Sequence, residues 1–147
     1  GCAPVVQALI DGLEHPELVK PDTIAKSIAI GNPADGFHVL KTVRDSKGEG
    51  AVASDDEILS AIELLARTEG IFTEPAGGTT LAATMRLIEN GVIGKNDSVV
   101  VCITGNGYKT ADVMAARVRR PQHLGRSLRE FEAFLAERNR EHEERDA

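Results

Sequence analysis

Apolar residues recur along the chain at the spacing of one helix face, and this pattern predicts most of the elements. Helical stripes are found over residues 3–13, 34–44, 55–69, 76–90, 109–118 and 124–136. Ser54 directly precedes the third stripe, and Glu57 stands three residues after Ser54, as in a capping box. Gly70 directly follows the end of this stripe. The third helix is therefore predicted with defined ends, and Pro121 is predicted to end the fifth.

Short continuous runs of apolar residues predict strands. Residues 99–103 are all apolar and four of the five are β-branched, which indicates a strand buried on both faces. Shorter runs at 51–53 and 71–73 predict brief strands, and Cys102 is expected to be a small buried residue of the central strand. Strands that alternate with helices indicate an α/β domain built on a parallel sheet.

The turn that follows the longest predicted strand, Thr104-Gly105-Asn106-Gly107, is the first candidate site. Ligands of open parallel sheets bind at the carboxyl ends of strands, and glycines let a ligand approach the backbone. The turn lacks the glycine and lysine spacing of a P-loop and the third glycine of a dinucleotide fingerprint, which disfavours a phosphate cradle. A plain strand-to-helix turn and another kind of ligand site both remain open.

Two further turns have the same ambiguity. Glu74-Pro75-Ala76-Gly77-Gly78 begins a helix, and its small residues fit either a ligand beside the helix N-terminus or close helix packing. Gly31-Asn32-Pro33 ends an alternating apolar segment, and it fits either an ordinary tight turn or one that presents backbone groups to a ligand. Spacing alone favours the ordinary turn at 31–33, and it does not decide between the two alternatives at 74–78.

Composition narrows the possible functions. The net charge of −6 and an aromatic content of 3% argue against a nucleic-acid surface, and no apolar run is long enough for a membrane span. Cys2 and Cys102 lie far apart and the four histidines are scattered, so no metal site is predicted. The length of 147 residues suits one domain, and without a membrane span or a signal peptide we expect a cytoplasmic protein. Because the chain begins with Gly-Cys-Ala-Pro and not with Met, we expect it to be a piece of a longer protein.

Four segments together resemble the threonine synthase family, whose members are pyridoxal-phosphate enzymes of fold type II. They are GCAPVV at 1–6, SIAIGNP at 27–33, GIFTEPAGGTT at 70–80 and VCITGNGYK at 101–109. The resemblance covers roughly residues 1–118. It implies an α/β, three-layer parallel-sheet domain, incomplete here, over 1–122. The apolar spacing that follows predicts a C-terminal amphipathic helix over 123–147 with a charged end.

The resemblance also implies a cofactor and four residues that bind it. The cofactor would be pyridoxal 5'-phosphate, and the hydroxyl of Thr104 would hydrogen-bond its pyridine nitrogen. Glu74, Gly31 and Asn32 correspond to turns beside the cofactor ring in relatives. No catalytic residue is assigned to this chain, because the family's Schiff-base lysine, its asparagine at the ring hydroxyl and its glycine-rich phosphate loop all precede the matched region. Tyr108 stands where the family usually has Leu.

The implied activity is the conversion of O-phospho-L-homoserine and water to L-threonine and phosphate, a lyase reaction of threonine biosynthesis. The complete enzyme is expected to be a homodimer that binds a phosphorylated amino acid, with no nucleic-acid or membrane partner. This chain would need the missing N-terminal part and would be inactive alone. A serine/threonine dehydratase-like lyase of the same fold type and a non-catalytic binding fragment are the alternatives.

Overall fold

A computed structural model describes residues 1–118 and 123–143. This part of the chain forms the α-helices α1 (Pro4–Ile10), α2 (Gly36–Asp45), α3 (Asp55–Glu69), α4 (Pro75–Glu89), α5 (Ala111–Met114) and α6 (Leu128–Glu143). Short 3-10 turns form at Lys26–Ile28 and Gly107–Thr110. The predicted helices over 34–44, 55–69 and 76–90 are confirmed to within two residues at each end. The fifth helix, predicted over 109–118, is shorter than expected and ends at Met114, so the prediction that Pro121 ends it is wrong.

Helix α3 begins and ends where its local sequence predicts. The Ser54 hydroxyl accepts a hydrogen bond from the Glu57 N–H at 3.3 Å, and the Glu57 carboxylate accepts one from the Ser54 N–H at 2.7 Å. At the other end Gly70 has φ 69°, the left-handed conformation that glycine adopts without steric cost. The capping box and the C-terminal glycine of this helix are both confirmed.

The core forms where α3 packs against α4 and neighbouring segments. Its buried residues are Ala25, Ile58, Ile62 and Met114. Half-buried side chains pack against them from several segments: Ile24, Ala53, Leu59 and Phe72. Because Phe72 belongs to this core, the residues that follow it up to the start of α4 are held against the body of the fold.

The predicted strands do not form within the described residues. The 99–103 segment has no strand assignment, Val100 is 89% exposed and Cys102 is also exposed, so the prediction of a buried central Cys102 is wrong for this structure. The bridge recorded in this part of the chain pairs Thr73 with Asn106 and is antiparallel. A parallel sheet needs backbone pairing between neighbouring parallel strands, and no such pairing joins residues 51–53, 71–73 and 99–103 in the described part of the chain.

The chain divides into two compact units, Gly1–Ala116 and Arg117–Ala147. The second unit contains α6, on which Leu128 and Phe131 are exposed and Phe134 and Leu135 are half-buried. The domain boundary predicted after residue 122 falls beside residues outside the described part and stays a prediction. A search of the described helices finds none with the length and apolar character that crossing a membrane requires.

Candidate functional site

The turn at 104–107 is hydrogen-bonded to the segment that precedes α4. The Gly105 carbonyl accepts a hydrogen bond from the Thr73 hydroxyl at 2.8 Å and another from the Glu74 N–H at 3.2 Å. The Gly107 N–H donates to the Phe72 carbonyl at 3.0 Å. Two of the predicted site segments, which lie about thirty residues apart in sequence, are therefore fixed side by side.

Glu74 and Thr104 are brought close to each other by this pairing. A Cβ placed on Gly105 would lie 2.0 Å from Glu74 Oε1, so the Glu74 carboxylate lies directly against the residue next to Thr104. Thr104 is exposed, and its hydroxyl has no hydrogen-bond partner within 1–118 and 123–143. A hydroxyl in this state can donate to an acceptor on a bound molecule.

The two other predicted residues, Gly31 and Asn32, have different surroundings. Gly31 is buried, and its carbonyl accepts a hydrogen bond from the Val19 N–H at 3.0 Å. A Cβ there would lie 1.7 Å from the Val19 carbonyl oxygen, so only glycine fits this close approach. Asn32 is exposed, and in the described part of the chain no hydrogen bond joins it or Gly31 to Glu74 or Thr104.

A cavity of about 710 Å³ lies beside the 31–32 turn. Ile30 and Pro33, which flank the turn, are among its lining residues, together with Thr79 and Arg86 of α4. None of the four predicted cofactor residues lines this cavity. The site that the sequence predicts is therefore only partly assembled, with Glu74 and the Thr104 turn together and the 31–32 turn at a separate cavity.

The glycines at the start of α4 have a structural explanation. A Cβ on Gly78 would lie 2.7 Å from Ile62 Cγ1 and 2.8 Å from the Ile58 carbonyl oxygen of α3. A Cβ on Gly77 would lie 2.0 Å from the Thr73 hydroxyl oxygen. Of the two alternatives left open by the sequence, close packing accounts for both glycines.

An ion pair joins the start of α3 to α4. The Arg86 guanidinium contacts the Glu57 carboxylate, and both side chains are partly exposed. The pKa of Glu57 is held below its ordinary value, chiefly by the hydrogen bonds from the Ser54 N–H and hydroxyl, and Arg86 adds to this effect. The sequence predicted the Ser54–Glu57 contacts but gave no indication of the partner thirty residues away.

The sequence pattern did not indicate Thr73, whose hydroxyl donates to the Gly105 carbonyl. Thr73 is 1% exposed, and it occupies the last position of the apolar run 71–73. A polar residue at the end of an otherwise apolar run, directly before Glu-Pro, was the available signal. The neighbouring Phe72 ring contacts the exposed Tyr108 ring edge to face, with the ring centroids 5.5 Å apart.

Comparison with known proteins identifies the class. The chain belongs to the pyridoxal-phosphate dependent enzyme family, which matches residues 1–105 and whose members have fold type II. Pyridoxal phosphate is thus the cofactor implied for this chain. The exposed Thr104 hydroxyl fits such a group, because a pyridine nitrogen is an acceptor that a neutral hydroxyl can satisfy.

Threonine synthases are among the curated proteins that this chain resembles. The enzyme of Bacillus sp. (strain ULM1) is 45% identical over 94 residues, which are 64% of this chain and 27% of the relative. That of Mycobacterium bovis is 41% identical over 112 residues, 76% of this chain and 29% of the relative. That of Methanocaldococcus jannaschii is 35% identical over 117 residues, which are 80% of this chain and 29% of the relative. The chain spans between a quarter and a third of the length of these relatives.

Proposed function

We propose that the chain supplies one wall of the cofactor site of a threonine synthase, which converts O-phospho-L-homoserine and water to L-threonine and phosphate. The similarity to threonine synthases supports the activity. The observation that carries the site is the exposed Thr104 hydroxyl, which has no hydrogen-bond partner among the described residues and lies on a turn that is hydrogen-bonded beside Glu74. Thr104, Glu74, Gly31 and Asn32 are the residues we assign to cofactor binding.

Each of these residues contributes a different property. Pyridoxal phosphate supplies an electron sink to the reaction when it is bound. Thr104 donates a hydrogen bond to the ring nitrogen without adding a negative charge, so it does not favour protonation of that nitrogen as an Asp would. Glu74 places its carboxylate against Gly105, the residue after Thr104. Gly31 and Asn32 form a turn between Ile30 and Pro33, two residues that line the 710 Å³ cavity.

The other parts of the active site are proposed to belong to the part of the enzyme that this chain does not cover in its relatives. We propose that it supplies the cofactor lysine and the phosphate loop, and that it pairs with the extended segments of this chain to complete the three-layer parallel sheet. The 89% exposure of Val100 supports this pairing, because a β-branched apolar segment gains from burial. The complete enzyme is proposed to be a cytoplasmic homodimer, and this chain alone to be inactive.

Replacing Thr104 in the complete enzyme tests this assignment. Thr104→Val should weaken cofactor binding by about 0.5–1.5 kcal/mol, the net value of a neutral hydrogen bond. Thr104→Asp should retain the cofactor but favour a protonated ring, at about 1.4 kcal/mol for each unit of pKa shift, and so lose threonine formation and gain keto-acid by-product. Cofactor affinity, phosphate release and keto-acid formation are measured for each variant.

Thr68→Val is the matched control for Thr104→Val. It makes the same change of atoms at an exposed helix position, where the hydroxyl donates only to the Leu64 carbonyl of its own helix. Unchanged affinity in Thr104→Val, together with unchanged products in Thr104→Asp, would show that Thr104 does not contact the ring nitrogen. Keto acid formed by the wild-type enzyme without phosphate release would instead identify a dehydratase.

A further inference from the structure

The Gly105 carbonyl is held in place by hydrogen bonds, although it belongs to a turn that is partly exposed. It accepts two hydrogen bonds, from the Thr73 hydroxyl at 2.8 Å and from the Glu74 N–H at 3.2 Å. Gly105 lies directly after Thr104, and a glycine has wide backbone freedom unless external contacts restrict it. These two hydrogen bonds restrict the Gly105 backbone, and Thr73 provides one of them with its side chain.

The surroundings of Thr73 favour this function over simple filling of space. Thr73 is 1% exposed, and a buried hydroxyl is costly unless it forms a hydrogen bond. Its oxygen occupies the place that a Cβ on Gly77 would fill, since the two positions are 2.0 Å apart. The absence of a side chain at Gly77 thus lets the Thr73 hydroxyl point to the Gly105 carbonyl, 32 residues further along the chain.

We propose that Thr73 is a positioning residue, whose hydroxyl fixes the Gly105 carbonyl and thereby the orientation of Thr104. This inference rests on the proposed function for the identity of the group that Thr104 contacts. Thr73 itself touches neither cofactor nor substrate. It acts through the backbone of the 104–107 turn, and Gly77 is the small residue that this arrangement requires.

Three variants of the complete enzyme test the proposal. Thr73→Val keeps the size of the side chain and removes the hydroxyl, whereas Thr73→Ser keeps the hydroxyl and removes a methyl group. Gly77→Ala displaces the same hydroxyl from the opposite side, because the added Cβ occupies its place. Thr84→Val is the matched control, since the Thr84 hydroxyl donates to the Thr80 carbonyl within α4.

Two measurements are made on each variant. Amide hydrogen exchange at Gly107, whose N–H donates to the Phe72 carbonyl, reports the turn without any cofactor. Pyridoxal-phosphate affinity reports its effect on the site. We expect about threefold to tenfold faster exchange and a similar loss of affinity in Thr73→Val and Gly77→Ala, with values close to wild type in Thr73→Ser and Thr84→Val.

The pattern of results separates positioning from stability. Thr73→Ser leaves a small cavity and lowers the unfolding temperature, yet it should preserve the affinity that Thr73→Val loses. Equal losses of affinity in both variants, or unchanged exchange at Gly107 in Thr73→Val, would overturn the proposal. Faster exchange with unchanged affinity in both Thr73→Val and Thr104→Val would support the Thr73 contact and overturn the proposed cofactor contact of Thr104.

Discussion

The contact between α3 and α4 at Gly78 allows a quantitative prediction for Gly78→Ala. The added Cβ would lie 2.8 Å from the Ile58 carbonyl oxygen and 2.7 Å from Ile62 Cγ1, whereas ordinary van der Waals contact begins at 3.4 Å. A change of rotamer cannot relieve contact with a backbone oxygen. The two helices must therefore move apart by about 0.6 Å at this point, or α4 must bend.

Two opposing contributions determine the size of the effect. Alanine is favoured over glycine inside a helix by about 1 kcal/mol, and burial of a methyl group adds up to about 0.8 kcal/mol. Overpacking of a tightly packed site costs about 1–3 kcal/mol, and the backbone contact places Gly78 at the upper end. We expect a net destabilisation of about 1–2 kcal/mol, which lowers the unfolding temperature by about 2–8 °C.

Thermal unfolding followed by circular dichroism measures this change, and Ala83→Gly is the control. Ala83 lies on the same helix, and its replacement should cost about 1 kcal/mol through helix propensity. If propensity alone mattered, the two substitutions would have opposite signs. We expect both to lower the unfolding temperature, and a rise in Gly78→Ala would refute the close-packing explanation.

Three more predictions concern the caps and the site. Ser54→Ala should destabilise the protein by about 1 kcal/mol in thermal unfolding, because it removes the capping hydroxyl of α3. The folded-state pKa of Glu57 lies below its ordinary 4.5, so the ionised carboxylate should stabilise the protein fully above pH 4.5. This contribution to the free energy of unfolding should be lost as the pH falls through the folded-state pKa. If stability depends on pH in Glu57→Gln as it does in the wild type, this prediction is wrong. Gly105→Ala adds a Cβ where the Glu74 carboxylate lies, and Gly105 has no positive φ that would strain an alanine. The flexible Glu74 side chain should be pushed aside, so we expect pyridoxal-phosphate affinity in a fluorescence titration to fall by about twofold to tenfold. The free energy of unfolding should stay within about 1 kcal/mol of wild type. Unchanged affinity would remove Glu74 from the site.

The sequence pointed to three candidate turns but did not specify how the fold arranges them. The motif around Thr104 and the Glu-Pro turn at Glu74 pointed to two segments that the fold does place side by side. The turn at Gly31 and Asn32 was expected beside them, but it borders a separate cavity in the described structure. Motif spacing indicates which segments belong to a family, whereas distances between them depend on the packing of everything in between.

The sequence by itself determined the position of helix α3 and, to within two residues, the positions of α2 and α4. The apolar stripe of α3, its Ser54–Glu57 cap and its terminal Gly70 are all local, because a helix satisfies its backbone hydrogen bonds within four residues. Only the tertiary structure decided the contact of Thr73 with Gly105 and the exposure of residues 99–103. Strand pairing and buried polar contacts need partners from distant parts of the chain, and no local pattern specifies which partner will be present.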